Sequence, residues 1–310
     1  MEARDTAVRS QWRQRMGRAG VWVPGTAIDD DPRGFASFVE HLGYGGLWIG
    51  GGNPDPAAFA RIESLLSATS RLVVATGITS IWTWEPAALA ARAARLEAAY
   101  PGRFVLGLGV SHAPVVEQVG RRYERPFEAM VAYLDALDAL APGAAGTLAP
   151  GAAGAAPPRV LAALGPRMLR LSAARASGAH PYLTTPRHTR HARDVLGPSA
   201  FLGPEQAIVL QDRPEVARRR ARAYLERYLR LPNYAVNLLR TGWSAADVQG
   251  GGSDALVDAL VVHGNVDQVR ASVEAHLDAG ADHVCVQALG EDTTVDRSAL
   301  EVLAPLLTAG

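Results

Sequence analysis

Short apolar runs alternate along the chain with longer segments in which apolar residues recur at helical spacing. The runs lie at residues 20–24, 47–49, 72–76, 104–109, 159–164, 180–184, 206–210 and 283–287. Short continuous apolar runs are typical of strands that are buried on both faces, as in a parallel sheet covered by helices. The alternation therefore predicts repeated strand–helix units.

Boundary residues support the helices between these runs. Gly43 follows the helix predicted around residues 35–42, and glycine is common directly after a helix. Pro86 and Pro166 lie where first helical turns are expected. A long helical tract at about 214–262 separates the seventh run from the eighth. Eight such strands predict an α/β fold, a closed (β/α)8 TIM barrel with a helical insertion between strands 7 and 8.

The chain is predicted to be one barrel domain, residues 19–310, preceded by an N-terminal arm, residues 1–18. The arm is polar and contains several arginines, so we expect it to fray or to pack rather than to act as a signal peptide. An Ala/Gly/Pro-rich stretch at 141–158 reads as a flexible surface connection. No apolar run is long enough to cross a membrane. We expect a cytoplasmic protein.

Composition removes several classes of protein. The 310 residues carry a formal net charge of zero, which gives no electrostatic footprint for nucleic acid or a membrane surface. The single cysteine, Cys285, excludes an internal disulfide and a cysteine-rich metal site. All 31 basic residues are arginine. The absence of lysine excludes Schiff-base and pyridoxal-phosphate chemistry and a P-loop of the Walker type.

In a TIM barrel the active site lies where the strands end. These positions, 24–25, 50–53, 77–80, 110–112, 165–166, 184–186 and 287–289, are rich in Gly, Ser and Thr. His112 is the one side chain among them that titrates near neutrality. A hydrolase that works with two carboxylates is not supported, because these positions contain no pair of acidic residues. The set suits a cofactor that brings its own reactivity.

Metal binding has little support. His188 and His191 are three residues apart and share a helix face, but no third ligand is evident. We predict a solvated face there and no metal site. Four further histidines, His41, His263, His276 and His283, are expected to be structural.

Two further features have both a functional and an ordinary interpretation. Gly165-Pro166 opens a helix after the fifth strand, where free N–H groups suit a phosphate, although it is also a common strand-to-helix turn. Tryptophans cluster on or after the first three strands, and they wall either a cavity for a planar ring or ordinary core. They are Trp22, Trp48, Trp82 and Trp84, of which Trp48 and Trp82 favour the cavity most.

Five segments resemble the luciferase-like monooxygenase superfamily, and within it the branch of oxidoreductases that use the deazaflavin coenzyme F420. They are LGYGGLWIGG, RLVVATGITSIW, YPGRFVLGLGVSH, LAALGPRMLRLSAARASGAHPYLTTPRHT and HVCVQAL. Together they cover nearly the whole barrel in the right order, and the fourth is the most specific. The resemblance implies a TIM barrel with an insertion between strands 7 and 8, commonly as a homodimer.

The resemblance also implies positions for the cofactor. A non-prolyl cis peptide at the end of strand three, here Gly77–Ile78, would bulge against the deazaflavin ring. We predict that the cofactor-binding residues are Gly77, Ile78, Thr79, Ser80, Ser111, His112, Leu164, Gly165, Pro166, Met168, Leu169 and Thr184. The predicted substrate pocket consists of Trp22, Trp48, Gly51, Asn53, Trp82 and Thr185.

The chain departs from the relatives that oxidise sugar phosphates. Those relatives have an Asp-His pair after strand two and a Glu after strand four, where this chain has Gly51-Gly52 and His112. The substrate of that subgroup therefore does not transfer. His112 is left as the candidate for proton transfer, and its alternatives are a hydrogen bond to the cofactor or a cap on the next helix.

The leading hypothesis is an F420-dependent oxidoreductase that moves a hydride between the deazaflavin and a small organic substrate. One alternative is an FMN-dependent luciferase-like monooxygenase, which also needs a flavin reductase and oxygen. A second alternative is a non-catalytic barrel that binds the cofactor, favoured by the glycines that replace the acid–base pair. The expected partners are a small-molecule substrate and a second copy of the chain, with no nucleic acid and no membrane.

Overall fold

The computed structural model describes residues 11–51, 55, 57–140, 156–291 and 294–308. Most of the predicted connection at 141–158, and Asn53 of the predicted pocket, lie outside this part of the chain. Eleven strands are present in it. They are β1 Ala19–Pro24, β2 Gly46–Gly50, β3 Val73–Thr76, β4 Thr79–Ser80, β5 Phe104–Gly109, β6 Arg159–Leu161, β7 Gly178–Ala179, β8 Phe201–Leu202, β9 Glu205–Leu210, β10 Val261–Gly264 and β11 Val284–Ala288.

Helices connect most of these strands. After α1 at residues 11–16 come α2 Pro32–His41, α3 Ala58–Ser67, α4 Pro86–Ala99, α5 Ala113–Gln118, α6 Pro126–Ala139, α7 Pro166–Arg175, α8 Pro186–Leu196, α9 Pro214–Leu229, α10 Pro232–Arg240, α11 Ala245–Val248, α12 Asp254–Leu260, α13 Val266–Asp278 and α14 Arg297–Leu307. Eight of them carry proline in the first turn, where its fixed φ suits the helix and its missing N–H costs nothing. In the part of the chain described, no helix is both long and apolar enough to span a membrane.

The named strands form one curled parallel sheet. The order is β10-β9-β11-β1-β2-β3-β5-β6-β7-β8, with β4 beside β5. β8 lies at one end of this order and β9 lies second from the other end, yet the two strands are separated along the chain by Gly203 and Pro204 alone. Gly203 N donates to Ala179 O and Cys285 N to Pro204 O, both at 3.0 Å. The run from β8 to β9 thereby pairs with β7 on one side and with β11 on the other.

Side chains alternate between the inside of the curl and the helices around it. Val21, Val23 and Leu47 pack outward with the surrounding helices in the main core cluster. Trp22 and Trp48, their neighbours along the strands, lie in an interior cluster that also contains Val105, Val160 and Cys285. The two faces explain why these strands are apolar throughout rather than alternating.

The end of α1 closes the interior where the strands begin. Trp12 and Met16 are fully buried, and the Trp12 ring lies 4.8 Å from that of Phe201, at the start of β8. The part of the predicted arm that the structure describes therefore packs instead of fraying.

The structure corrects three of the predicted strands. The sixth run, 180–184, has no regular pairing, and only Gly178–Ala179 before it forms β7. Pro181 has no N–H to donate to a sheet, and Leu183 takes a φ of +56°. The fifth strand ends at Leu161 instead of Leu164.

The third correction lies at the end of the long helical tract. Helices α9–α12 occupy most of it, but Val261–Gly264 forms β10, parallel to β9. The β-branched Val261 and Val262 favour a strand, a local signal that the helical pattern before them obscured.

Candidate active site

A backbone bulge stands at the end of β3. The Gly77–Ile78 peptide is cis, which confirms the expectation from sequence. A Cβ at Gly77 would lie 2.6 Å from Trp22 Nε1, and one at Gly109 would lie 2.6 Å from Ile78 Cδ1. Glycine is therefore required at both positions, because the indole and the Ile78 side chain occupy the space that a larger residue would need.

Trp22 and Trp48 have different environments. The Trp22 ring lies beside Gly77 and 4.9 Å from the Tyr182 ring, so it forms part of the floor beneath the bulge. Trp48 lies in the interior, fully buried, stacked on His180 at 4.1 Å, and its Nε1 donates to His283 Nε2 at 3.1 Å. The placement of Trp48 in the substrate pocket is wrong, because its ring and its only polar atom are both used within the core.

Trp82 remains a candidate pocket wall. It is half-buried, its Nε1 donates to Val110 O at 2.7 Å, and it lines a cleft of about 160 Å³ with Trp84, Arg121 and Tyr133 among others. A second cleft brings Gly51, Ile78 and Thr79 together. The exposed Gly51 presents no side chain there, and a Cβ at this position would have only Ile78 O nearby, at 3.8 Å.

Several predicted polar contacts are buried around the bulge. Ser80 lines the second cleft, but its Oγ already accepts a hydrogen bond from Trp82 N at 3.3 Å. Ser111 Oγ and Thr184 Oγ1 are buried without a hydrogen-bond partner in the described chain. Buried hydroxyls are normally paired, so these two atoms are available to a ligand. Thr185, the residue before α8, is buried and gives its helix no side-chain cap.

His112 faces the long helical tract. It precedes α5 without capping it, and its Nδ1 lies 3.1 Å from Asn233 Oδ1. Its ring centroid lies 5.4 Å from that of Tyr234 on α10. Burial lowers the pKa of His112, against a smaller opposing effect of the bond to Asn233. The imidazole is therefore neutral at pH 7, which suits it to accept a proton.

The tertiary structure brings a positively charged side chain, Arg240, to the predicted phosphate turn. Gly165 precedes α7 and Pro166 is its first residue, as expected from sequence. A Cβ at Gly165 would lie 3.0 Å from Arg240 Nη1. The free N–H groups of a helix start and a guanidinium together favour an anion. Sequence reasoning missed Arg240 because it lies at the end of α10, far along the chain.

Residues beside this turn differ in burial: Leu164 and Met168 are half-buried, whereas Leu169 is fully buried. Leu164 O accepts a hydrogen bond from His188 Nε2 at 2.9 Å, and Met168 is half-buried. The Leu169 side chain is fully buried in a core cluster with Ala192 and Leu202, and its part in cofactor binding stays a prediction. In α7 its position three residues after Pro166 turns it towards the sheet.

The predicted solvated face at His188 and His191 is wrong for His188. That side chain is 1% exposed, and burial lowers its pKa to about 4. His276 and His283 are buried and hydrogen-bonded, in keeping with structural roles. In the described ranges, no three His, Cys, Asp or Glu side chains come together as a metal site.

A tyrosine cluster that sequence reasoning missed lies beside Trp22 and His112. We use the term tyrosine cluster for Tyr182, Tyr224, Tyr228 and Tyr234. Tyr224 donates to the Tyr182 hydroxyl at 2.7 Å, and Tyr182 donates to Gln287 Oε1 at 2.9 Å. Glu205, at the start of β9, is buried beside the cluster. A carboxylate within an otherwise apolar strand was the available signal.

These features define an α/β protein with a curled parallel sheet and clefts at the ends of its strands. A family model described as luciferase-like monooxygenase matches residues 30–283. The chain belongs to the luciferase-like monooxygenase family. The solved structures that resemble it include both F420-dependent and FMN-dependent enzymes. No curated protein matches the sequence.

Solved structures share the fold at low sequence identity. An F420-dependent secondary alcohol dehydrogenase in complex with an F420–acetone adduct has a TM-score of 0.73 and 14% identity over 95% of this chain and 99% of its own. The F420-dependent tetrahydromethanopterin reductase of Methanopyrus kandleri has a TM-score of 0.68 and 17% identity over 94% and 98%. The oxygenating constituent of 3,6-diketocamphane monooxygenase from Pseudomonas putida, in complex with FMN, has a TM-score of 0.69 and 16% identity over 94% and 97%.

Proposed function

We propose that this protein is an F420-dependent oxidoreductase that transfers a hydride between the deazaflavin and a small organic substrate. The observations that carry the proposal are the anion turn, where Arg240 meets Gly165 at the start of α7, and the strand-end cleft lined by Gly51, Ile78 and Thr79. Structural neighbours that use F420 support it.

The residues present fit such a cofactor. The Ile78 bulge and Trp22 form a floor for a flat ring, and the start of α7 with Arg240 suits a phosphate-bearing tail. Ser111 Oγ and Thr184 Oγ1 are unpartnered atoms that a ligand would satisfy. The bound cofactor would supply a carbon that accepts or releases a hydride.

The chain's own residues would orient the reactants and move the proton. The walls around Trp22 and the tyrosine cluster exclude water, and a held substrate gains from proximity to the ring. Neutral His112, fixed by Asn233, would accept the proton of an alcohol whose carbon loses a hydride. In the opposite direction, a neutral histidine is a poor proton donor.

One observation favours the FMN-dependent monooxygenase as a second candidate. The anion site formed by Gly165, Pro166 and Arg240 would hold the phosphate of FMN as well as that of F420, and the 3,6-diketocamphane enzyme binds FMN. A non-catalytic barrel remains the third candidate, since Gly51 offers no acid or base beside the bulge.

We further propose a (β/α)8 barrel whose seventh strand is β8 with β9 and whose eighth strand is β11. Helices α9–α12 would form the insertion between these two strands. We also propose a homodimer in the cytoplasm. Val302 and Leu306, exposed one turn apart on α14, are apolar positions that a second copy would cover. Sedimentation velocity measures the mass in solution, and a monomer at micromolar concentration contradicts the dimer.

The test of the proposed function is a paired titration of the full-length protein with F420 and with FMN. Fluorescence of each cofactor gives its Kd. We expect F420 to bind at least about tenfold more tightly than FMN, a difference of about 1.4 kcal/mol. Preference for FMN moves the assignment to the monooxygenase, and binding of neither overturns the oxidoreductase.

A further inference from the structure

The backbone of His112 is fixed by contacts on both sides of it. Val115 N and Val116 N both donate to His112 O at 3.0 Å, at the start of α5. The preceding residue, Ser111, takes a φ of +56°, which is uncommon for a residue other than glycine. Its carbonyl accepts a hydrogen bond from the Tyr123 hydroxyl at 3.3 Å. The constrained backbone therefore places the imidazole at the carboxyl end of β5.

The ring of His112 contacts a helix that is distant in the chain. Its Nδ1 lies 3.1 Å from Oδ1 of Asn233, the second residue of α10. Pro232, directly before Asn233, has a fixed φ, so the first turn of the helix forms without a side-chain cap. On the same helix, Tyr234 places its ring 5.4 Å from the imidazole. The helical tract thus supplies two groups that contact the ring.

The bond to Asn233 determines which ring nitrogen carries the proton. An amide oxygen has no hydrogen to donate, so Nδ1 of a neutral His112 is the donor. The hydrogen bond that one nitrogen of a histidine makes sets the protonation of the other. Nε2 is then left with its lone pair, directed away from Asn233, and no described residue bonds to it. Because the ring is only half-buried, this nitrogen is open to a ligand at the strand ends.

The titratable groups that face the imidazole are uncharged. Tyr234 lies on α10, and Tyr123, between α5 and α6, bonds to the backbone beside His112. Burial raises the pKa of both tyrosines, so both are neutral at pH 7. Burial lowers the pKa of His112 itself, against the smaller opposing effect of Asn233. The ring is therefore neutral, and its tautomer depends on the amide rather than on a neighbouring charge.

We propose that Asn233 is a positioning residue that holds His112 protonated on Nδ1, so that Nε2 is the base that deprotonates a secondary alcohol. This role rests on the proposed function, because the reaction needs an oxidised deazaflavin as hydride acceptor. The O–H proton moves to Nε2, and the electron pair that it leaves on oxygen forms the C=O bond. The C–H bond breaks, and its hydrogen leaves with the electron pair as a hydride. A ketone results, and the imidazolium returns the Nε2 proton to solvent.

Two substitutions separate the hydrogen-bond acceptor from the charge. Asn233→Ala removes the acceptor, so the ring is free to carry its proton on either nitrogen. The fraction that is protonated on Nε2 cannot accept a proton at that atom and is inactive. Asn233→Asp keeps an oxygen opposite Nδ1 and adds a negative charge, which favours the imidazolium and raises the pKa of His112 by about one unit or more.

Nitrogen NMR of the full-length protein with isotope-labelled histidine measures the tautomer without any cofactor. The His112 signals are identified by their loss in His112→Gln. At pH 8 we expect Nδ1–H in wild type, Nε2–H or a mixture in Asn233→Ala, and Nδ1–H again in Asn233→Asp, with a higher pKa. Val236→Ala, on the exposed face of α10, is the matched control and should equal wild type. An Nε2–H signal in wild type, or an unchanged tautomer in Asn233→Ala, overturns the proposal.

Turnover is measured with oxidised F420 and with 2-propanol and cyclohexanol as probes. We expect Asn233→Ala to lower kcat about 10-fold to 100-fold, while KM and the Kd of F420 stay within about threefold. Asn233→Asp should recover most of kcat. It should also move the acid limb of the pH profile about one unit higher, because the base must lose its proton before it acts. Val236→Ala should keep the wild-type kcat and pH profile.

Failure of the positioning role is distinguishable from failure of the proposed function. If F420 binds and an alcohol is oxidised, but Asn233→Ala keeps the wild-type kcat, the role of Asn233 is wrong and the proposed function stands. If F420 binds but neither alcohol is oxidised, the role of Nε2 as a base is wrong and the cofactor assignment stands. If F420 does not bind, the proposed function fails, and the role of Nε2 fails with it.

Discussion

Two regions at the carboxyl ends of the strands differ in the size of their side chains. On the glycine side, which we define by Gly50, Gly51, Gly77 and Gly109, missing side chains leave room for the Trp22 ring and the Ile78 bulge. On the other side, the tyrosine cluster fills the space with rings and hydroxyls. The first region is therefore shaped by the absence of side chains at the glycines, and the second by the packing of four tyrosine rings.

The comparison teaches where shape and chemistry come from. The glycines lie at the ends of β2, β3 and β5, close together in the sheet. Most of the tyrosine cluster comes from α9 and α10, in the helical tract. The sheet therefore shapes the glycine side, whereas the helical tract supplies most of the hydroxyl groups of the tyrosine cluster.

The largest expected effect concerns the acid beneath the tyrosine cluster. The pKa of Glu205 is raised from 4.5 to about 8, so the folded protein binds a proton that the unfolded chain releases between these pH values. Stability is therefore full below pH 4.5 and is lost as pH rises towards 8. The penalty approaches roughly 4 kcal/mol at pH 8.5, at about 1.4 kcal/mol per pKa unit.

Urea unfolding at pH 5 and pH 8.5 measures this effect. E205Q should be close to wild type at pH 5 and more stable at pH 8.5, because glutamine has no proton to lose. E97Q should change less, since the pKa of Glu97 rises only to about 6. An equal pH dependence for E205Q and wild type would show that Glu205 ionises freely in the folded protein.

The next effect tests the glycine side directly. Gly51→Trp places a ring where, among the residues that the structure describes, a Cβ has Ile78 O alone within 4 Å, at 3.8 Å, so we expect the ring to fill the mouth without disturbing the core. We expect F420 affinity to fall about 100-fold, which is about 2.7 kcal/mol, with Tm unchanged. Ala98→Trp on the exposed face of α4 is the control. Tight binding to Gly51→Trp would place the cofactor elsewhere.

A third effect links the helical tract to the anion turn. Arg240, at the end of α10, reaches Gly165 at the start of α7. Arg240→Ala should weaken F420 binding about tenfold, since one hydrogen bond to a charged group contributes about 1.5–3 kcal/mol. The salt dependence of Kd should also become shallower. Arg230→Ala, which removes an exposed ion pair with Glu226, should change neither quantity.

The smallest expected effect lies within the tyrosine cluster. Tyr182→Phe removes a hydroxyl that joins Tyr224, Tyr228 and Gln287. We expect a loss of about 0.5–1 kcal/mol in the free energy of unfolding, because Gln287 Oε1 retains the long bond from Tyr224 at 3.3 Å. Tyr100→Phe, outside the cluster, serves as the reference in urea melts. If Tyr182→Phe leaves the free energy of unfolding unchanged, the remaining hydroxyls of the cluster form hydrogen bonds that replace the lost ones.

Local signals predicted most of the sheet and two parts of the site. The apolar runs predicted β1, β2, β3, β5 and β9 because each is buried on both faces. Gly165-Pro166 marked the start of α7 through backbone preferences that depend on neighbouring residues alone. The resemblance to relatives supplied the cis peptide at Gly77–Ile78, for which composition gave no sign.

Other parts depended on contacts between distant segments. Trp22 and Trp48 look alike in sequence, since each lies within a short apolar strand. The two residues are direct partners in the sheet, and contacts with distant segments then give them different environments: Trp22 lies beside Gly77, while Trp48 stacks on His180. The burial of His188 also depends on a distant segment, because its ring nitrogen bonds to the carbonyl of Leu164.

The sequence alone determined the alternating strands and helices, the starts of the proline-led helices and the glycines at the strand ends, because each follows from burial periodicity or backbone freedom over a few residues. Only the tertiary structure decided that Arg240 meets Gly165, that Asn233 holds His112 and that four tyrosines enclose Glu205. Those pairings join residues far apart in the chain, and the burial that sets the charge of Glu205 exists only once the sheet has curled and α9 and α10 have packed over its mouth.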